Sequence, residues 1–357
     1  MAVGRIKLEN FTAFRELELI PSPGINVLAG ANATGKTHLL KVAYAACASG
    51  GDEDAFLDAL SAVFRPHADR IGRLVSRLSE DGTGSADVRA NAGVAVVALR
   101  PDTQPRHVAR ERAAQQGAFA PAPATYIPPE EMLAHAPGFR SLVNVREVHF
   151  ESIYADIVDR AYLPPLRELS PAQEGAAKAV EEALGGTVET HGEEFFLTNS
   201  HGSLEFMLVA EGLRKLALLW LLIRNGSLAP GSVLFWDEPE ANLNPKMIGP
   251  LINVLLILQR DGLQVFLATH DYVVLKELEL QRGDGDQVLY HALYHDKESG
   301  DIRCAPSDDL TGLHPGQPSV CQRLDLGLFV GFLGCASSRF PCLGRGGPRR
   351  FRHSLFD

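Results

Sequence analysis

Lysine is scarce in this chain of 357 residues, eight against 26 arginines. Cysteine is scarcer still. Five cysteines at scattered positions form no disulfide framework, so the expected compartment is a reducing cytoplasm. No long apolar run is free of charge. The longest candidate, Phe206 to Ile223, is interrupted by Glu211, Arg214 and Lys215, which excludes a transmembrane helix and predicts no membrane insertion. No charged-then-apolar leader opens the chain, because MAVGRIKLENF already reads as a strand. Positive charge is not in excess. A net charge of −10 argues against a protein that coats nucleic acid, while leaving room for a local basic patch. There are no internal repeats and no sustained heptads between Thr37 and Ala210, which excludes a long coiled-coil arm. What remains, 45% hydrophobic and 22% charged, is an ordinary globular composition with length for one large domain or two smaller ones.

Two stretches carry chemistry. GINVLAGANATGKTHLLKVAYAA begins with a short apolar strand, Ile25 to Ala29, and continues into a helix from about Lys36 to Ala46. Between them GANATGKT fits GxxxxGK[ST]. Gly30 and Gly35 let the backbone curl so that N–H groups converge on phosphates. The candidate binding residues are Gly30, Ala31, Asn32, Ala33, Thr34, Gly35, Lys36, Thr37 and His38. Lys36 supplies a point charge to the outer phosphates, the Thr37 hydroxyl is a Mg²⁺ ligand, and the helix adds the positive end of its dipole.

The second stretch is GSVLFWDEPEANLNP. Paired acids at the end of a buried strand are costly without a cation beside them. Asp237 is therefore the expected Mg²⁺ ligand, directly or through water, and Glu238 is placed to orient or deprotonate an attacking water. VFLATHD, from Val265 to Asp271, is a third apolar strand ending at His270. A lone strand-end histidine is commonly structural; beside a phosphate loop and an acid pair it points to a γ-phosphate contact. ATP and Mg²⁺ are the implied cofactors.

The DE pair is characteristic of ABC-type ATPases. In LVAEGLRKLALLWLLI a small-residue turn leads into an amphipathic helix, similar to the ABC signature segment, with Glu211 and Gly212 at its start. Ala210 stands where a serine is usual. IKLENFTAFRELEL, GINVLAGANATGKT, FWDEPEANLNP and ATHD together resemble the RecF-like and OLD-like soluble ATPases. YIPPEEMLAHAPGF and AEGLRKLALLWLLIRNGSL resemble stand-alone bacterial AAA-family ATPases grouped with abortive-infection ATPases. The resemblance spans about residues 1 to 300. It implies a P-loop α/β fold of ABC-ATPase type: a mixed sheet flanked by helices, a helical lobe and an N-terminal antiparallel β element. It also implies ATP-dependent homodimerisation, with the Gly212 helix of one subunit meeting the phosphate held by the other, and coupling to DNA, a nuclease or another effector in phage defence or DNA repair. Glu131 in YIPPEE would take the Gln-loop place, sense Mg²⁺ and join the core to the helical lobe; an acid favouring the helix start after Pro128 and Pro129 is the other role open to it. Ala33 replaces a glycine common in the family, at small expected cost.

The expected organisation is one ATPase domain over 1–300, with a core lobe near 1–50, 90–130 and 228–300 and a helical lobe near 51–89 and 131–227. Residues 53–80 read as a helix interrupted near Pro66, whose Arg65, Arg70, Arg73 and Arg77 form a solvated face or a basic stripe. ALGGTVETHGEEFFLTNSHG reads as a hairpin. Residues 301–357 complete a hairpin and then change character. From Pro315 onward there is no lysine and no glutamate, and Cys321, Cys335 and Cys342 fall there without CxxC spacing, the flavour of an out-of-frame or otherwise non-native tail. Two other functions stay open: an ATP-clamped DNA-binding protein with little turnover, and the nucleotide subunit of an ABC transporter.

Overall fold

The computed structural model describes residues 3–90, 93–103, 123–146 and 150–310. The apolar runs expected as strands are β3 (Ile25–Gly30), β10 (Val233–Asp237) and β11 (Gln264–Thr269), and every residue in them is buried. Strands buried on both faces belong to a parallel sheet covered on both sides. The covered sheet has six strands. β6 (Ala124–Ile127), β10, β11, β3 and β12 (Val288–His295) run parallel in that spatial order, and β13 (Ile302–Ser307) pairs antiparallel to β12 at the edge.

One face of this sheet, through Leu28, Phe235 and Phe266, packs on α1 (Lys36–Ser49) and an N-terminal four-stranded antiparallel sheet. That sheet has the order β2 (Phe14–Leu19), β1 (Val3–Phe11), β4 (Gly84–Ala90), β5 (Gly93–Leu99). The other face, through Val27, Leu234, Trp236, Val265 and Leu267, packs on α7 (Pro245–Arg260) and α8 (Tyr272–Gln281). The same apolar cluster continues without a break into α4 (Ser152–Ala161), α5 (Pro171–Leu184) and α6 (Glu211–Arg224). α3 (Phe139–Arg146) and a three-stranded meander complete this part: β7 (Thr187–His191), β8 (Glu194–Asn199) and β9 (Gly202–Glu205). The expected hairpin in this region gains β9 as a third strand.

Two expected boundaries change. Residues 51–89, assigned to the helical lobe, join the N-terminal sheet instead. α2 (Glu53–Phe64) buries Phe56, Leu57, Leu60 and Val63 against α1 and β5, and β4 lies between β1 and β5. The helix stops at Phe64 because Arg65 takes a left-handed φ of 44° and Pro66 follows. Arg65, Arg70, Arg73 and Arg77 therefore share no helix face. Residues 302–307, placed outside the ATPase domain, complete its sheet as β13. The tail from residue 311, with its three cysteines, lies outside the described residues.

Candidate active site

Parallel strands deliver their C-terminal ends to one edge, and here that edge collects the expected chemistry. The loop after β3 curls around two glycines. A Cβ on Gly30 would lie 2.5 Å from the Leu293 carbonyl oxygen, and one on Gly35, whose φ is 81°, would lie 2.5 Å from the Phe14 ring. Ala33 also has a positive φ, 66°, so the missing glycine costs about 1 kcal/mol of backbone strain rather than little. Thr34 Oγ1 closes the loop on the Ala31 carbonyl at 2.8 Å. Ala31, Asn32 and Ala33 are exposed at its tip. α1 starts with no side-chain cap and no acid in its first turn, so its free N–H groups and dipole face the loop.

Lys36 is buried. Its ammonium bonds the carbonyls of Gly30 (2.8 Å) and Ala31 (3.0 Å). Burial lowers its pKa, and the charges of Asp237, Glu238 and Glu240 oppose that shift. Asp237, 1% exposed, ends β10. Burial raises its pKa first; the Thr37 hydroxyl bond pulls it down, the Glu238 charge pushes it up, and a bond from Tyr126 pulls it down again. The Tyr126 hydroxyl donates to Asp237 Oδ2 at 3.2 Å. Glu238 has a left-handed φ of 47°, and its N–H donates to the Ala268 carbonyl at 2.9 Å. Such backbone strain concentrates at functional sites. His270, exposed at the end of β11, has Nδ1 3.5 Å from Glu238 Oε1 and 3.6 Å from Glu240 Oε1.

Four expected site residues have other partners. Glu131 does not face this edge as a free carboxylate. Its Oε1 accepts the Leu133 N–H, and its Oε2 lies 2.6 Å from Arg214 Nε on α6, a buried ion pair. It is an acid of the turn that follows β6 and ties that turn to α6, in keeping with the expected link between core and helical lobe, and in this structure its carboxylate is engaged by Leu133 and Arg214. The His38 ring stands against Phe64, centroids 5.7 Å apart, with its pKa lowered by burial and then by Lys41. Its side chain belongs to the α1–α2 contact. Glu211 and Gly212 begin α6, where Ala210 provides no side-chain cap, and they dock onto the acid loop of their own chain. Glu211 Oε1 accepts from Asn242 Nδ2 at 2.8 Å, and a Cβ on Gly212 would meet the Asn242 carbonyl oxygen at 2.6 Å.

Tyr126, Lys215 and Glu240 were not among the expected residues. Tyr126 reaches Asp237 because β6 pairs with β10, a register that local sequence does not display. Lys215, 1% exposed, donates to the Ala241 carbonyl at 2.8 Å. Glu240 was visible as the last acid of DEPE, although its burial was not.

The residues fit a nucleoside triphosphate with Mg²⁺. A buried ammonium bonded to two backbone carbonyls and an uncapped helix start suit polyphosphate; a buried carboxylate joined to a threonine hydroxyl suits a hard divalent cation. Fold and site together define a P-loop ATPase of the ABC type.

The comparisons narrow the class. Residues 60–276, more than half of the chain, match the family described as "AAA domain, putative AbiEii toxin, Type IV TA system", and the chain belongs to that family. A segment of 44 residues is 46% identical to the DNA replication and repair protein RecF of Desulforamulus reducens, and the match spans 12% of each protein. Two solved structures share the fold. One is an SMC head bound to the C-winged helix domain of ScpA, with TM-score 0.55 and 12% identity over 86% of this chain and 98% of that one. The other is an SMC head with an extended coiled coil, bound to the C-terminal domain of ScpA derived from Pyrococcus furiosus, with TM-score 0.51 and 11% identity over 86% and 96%. No described helix is long and apolar enough to cross a membrane.

Proposed function

We propose that the protein is a cytoplasmic ATPase that pairs with a second copy when ATP is bound, and that this cycle switches an effector in phage defence or DNA repair. The carrying observation is the meeting of Lys36, Thr37, Asp237 and Glu238 at one sheet edge, with Asp237 already joined to Thr37. On binding, the Lys36 ammonium exchanges the carbonyls of Gly30 and Ala31 for the outer phosphates. Thr37 and Asp237 would hold Mg²⁺, which would offset charge on the phosphate oxygens. Glu238 orients the attacking water in line and accepts its proton, and His270 contacts the γ-phosphate. Gly30 to Thr37 of one subunit face the Gly212 helix start of the other. Residues 1–310 form the ATPase unit in this reading.

The family description supports the defence setting, and the likeness to RecF supports a DNA setting. The test is light-scattering mass of Glu238→Gln with and without Mg²⁺–ATP, beside wild-type phosphate release. The expected result is a monomer that becomes a dimer with ATP and no longer hydrolyses it. A mass that ignores ATP would refute the dimer switch. Turnover that rises with DNA and falls steeply with salt would favour an ATP-clamped DNA protein.

A further inference from the structure

Glu240 is the third carboxylate of the acid loop, and the hydrolytic scheme above does not use it. Its side chain is 7% exposed. Oε1 accepts from Thr269 Oγ1 at 2.6 Å and lies 3.4 Å from the His270 backbone nitrogen, which donates to it. Oε2 is buried with no hydrogen-bond partner among the described residues. Nδ1 of His270 stands almost equally far from two carboxylates, 3.5 Å from Glu238 and 3.6 Å from Glu240. Both distances exceed a formed hydrogen bond, so neither acid yet holds the ring.

We propose that Glu240 is the positioning residue for His270, clamping the end of β11 and accepting the hydrogen bond of Nδ1–H, so that Nε2–H of the protonated ring is left to donate to the terminal phosphate. The assignment rests on the hydrolytic reading above. One ring proton cannot serve two acceptors, and a carboxylate that must face water cannot also hold an imidazole. Glu238 is 34% exposed, with only its backbone anchored to β11. Glu240 is buried and bonded to Thr269. Glu240 is thus the stationary acceptor and Glu238 the one free to turn. The clamp also joins β10 to β11 beyond the last paired residues, Asp237 and Ala268.

The test is a double-mutant cycle of Glu240→Gln and His270→Ala, read as kcat and KM for Mg²⁺–ATP and as affinity for a fluorescent ATP analogue. Glu240→Gln keeps shape and an acceptor for Thr269, and it places an amide where the ring proton needs a carboxylate. The expected loss in kcat is about tenfold, the scale of a hydrogen bond to a charged group, with KM and affinity within about twofold. In the His270→Ala background Glu240→Gln should add almost nothing. Thr269→Val, which keeps the charge and releases the clamp, guards against a folding defect in Glu240→Gln and should lower kcat in the same way. Full loss in both backgrounds, or unchanged kcat in Glu240→Gln, would overturn the assignment while leaving an active, Glu238-dependent enzyme. A wild-type chain without turnover, or a Glu238→Gln variant as fast as wild type, would overturn the parent reading and this assignment with it.

Discussion

Gly212→Ala separates two explanations of the residue that opens α6. In one, the glycine exists so that another subunit's phosphate can approach. In the other, it exists because its own chain presses on it. A Cβ here would lie 2.6 Å from the Asn242 carbonyl oxygen and 3.0 Å from Leu243 Cα. Both are backbone atoms, so no rotamer relieves the clash. The loop would have to retreat by about 0.8 Å to reach ordinary contact, and it is tied to α6 by Asn242–Glu211 and Lys215–Ala241, each at 2.8 Å. Overpacking of this kind costs about 1–3 kcal/mol, and replacing a helical glycine by alanine returns up to about 1 kcal/mol. The net loss is about 1 kcal/mol, a fall in melting temperature of about 2–4 °C. The assay is thermal unfolding without nucleotide, where no second subunit is engaged. A variant that melts at or above the wild-type temperature would refute the packing argument, and loss of the ATP-dependent mass change alone would then assign Gly212 to the interface.

Two further perturbations probe the buried polar groups. Tyr126→Phe removes the hydroxyl that donates to Asp237 Oδ2 while keeping the ring in the core, so Mg²⁺ should be needed at roughly tenfold higher concentration for half-maximal turnover. An unchanged Mg²⁺ titration would show that Thr37 alone orients Asp237. His291 is 1% exposed beside Asn26, and burial lowers its imidazole to about 4. The folded form keeps it neutral while the unfolded chain protonates near 6.5, so the unfolded state binds more protons between those values. Stability is therefore present above about pH 6.5 and lost as pH falls toward 4, at up to roughly 1.4 kcal/mol per pH unit. Urea midpoints at pH 7 and pH 5 should differ less in His291→Gln than in wild type, and equal differences would exclude His291 as the group responsible.

The site was legible where spacing and burial coincide. Gly30 to Thr37 and Asp237–Glu238 each close an apolar run short enough to be a strand, and such runs need only local sequence to be recognised. Their spatial relation was not legible. β11 lies between β3 and β10, so the loop and the acid pair face each other across Thr269, an order set by crossovers rather than by any one segment. The same limit explains the segment 51–89. Its apolar spacing announces a helix, but only the pairing of β4 with β1 draws it to the N-terminal sheet. The partner of Glu131 was hidden for a related reason. An acid after two prolines reads as a local feature, and the residue that neutralises it, Arg214, is distant in sequence.

Four ties converge on the loop that carries Glu238. Lys215 and Glu211 of α6 hold Ala241 and Asn242, Glu240 holds the end of β11, and the Glu238 N–H holds Ala268. Burial lowers the pKa of the Lys215 ammonium, while the charges of Glu211, Glu240, Glu238 and Glu131 all raise it. The carboxylates that offset burial of this cation stand on three segments, and the charge favours keeping those segments together. Rotation of α6 away from the core would therefore either carry the acid loop along or break the Lys215–Ala241 and Glu211–Asn242 bonds together. Each of these two bonds has an ionised partner, so charge-assisted contacts within one chain couple the start of α6 to the loop that carries Glu238.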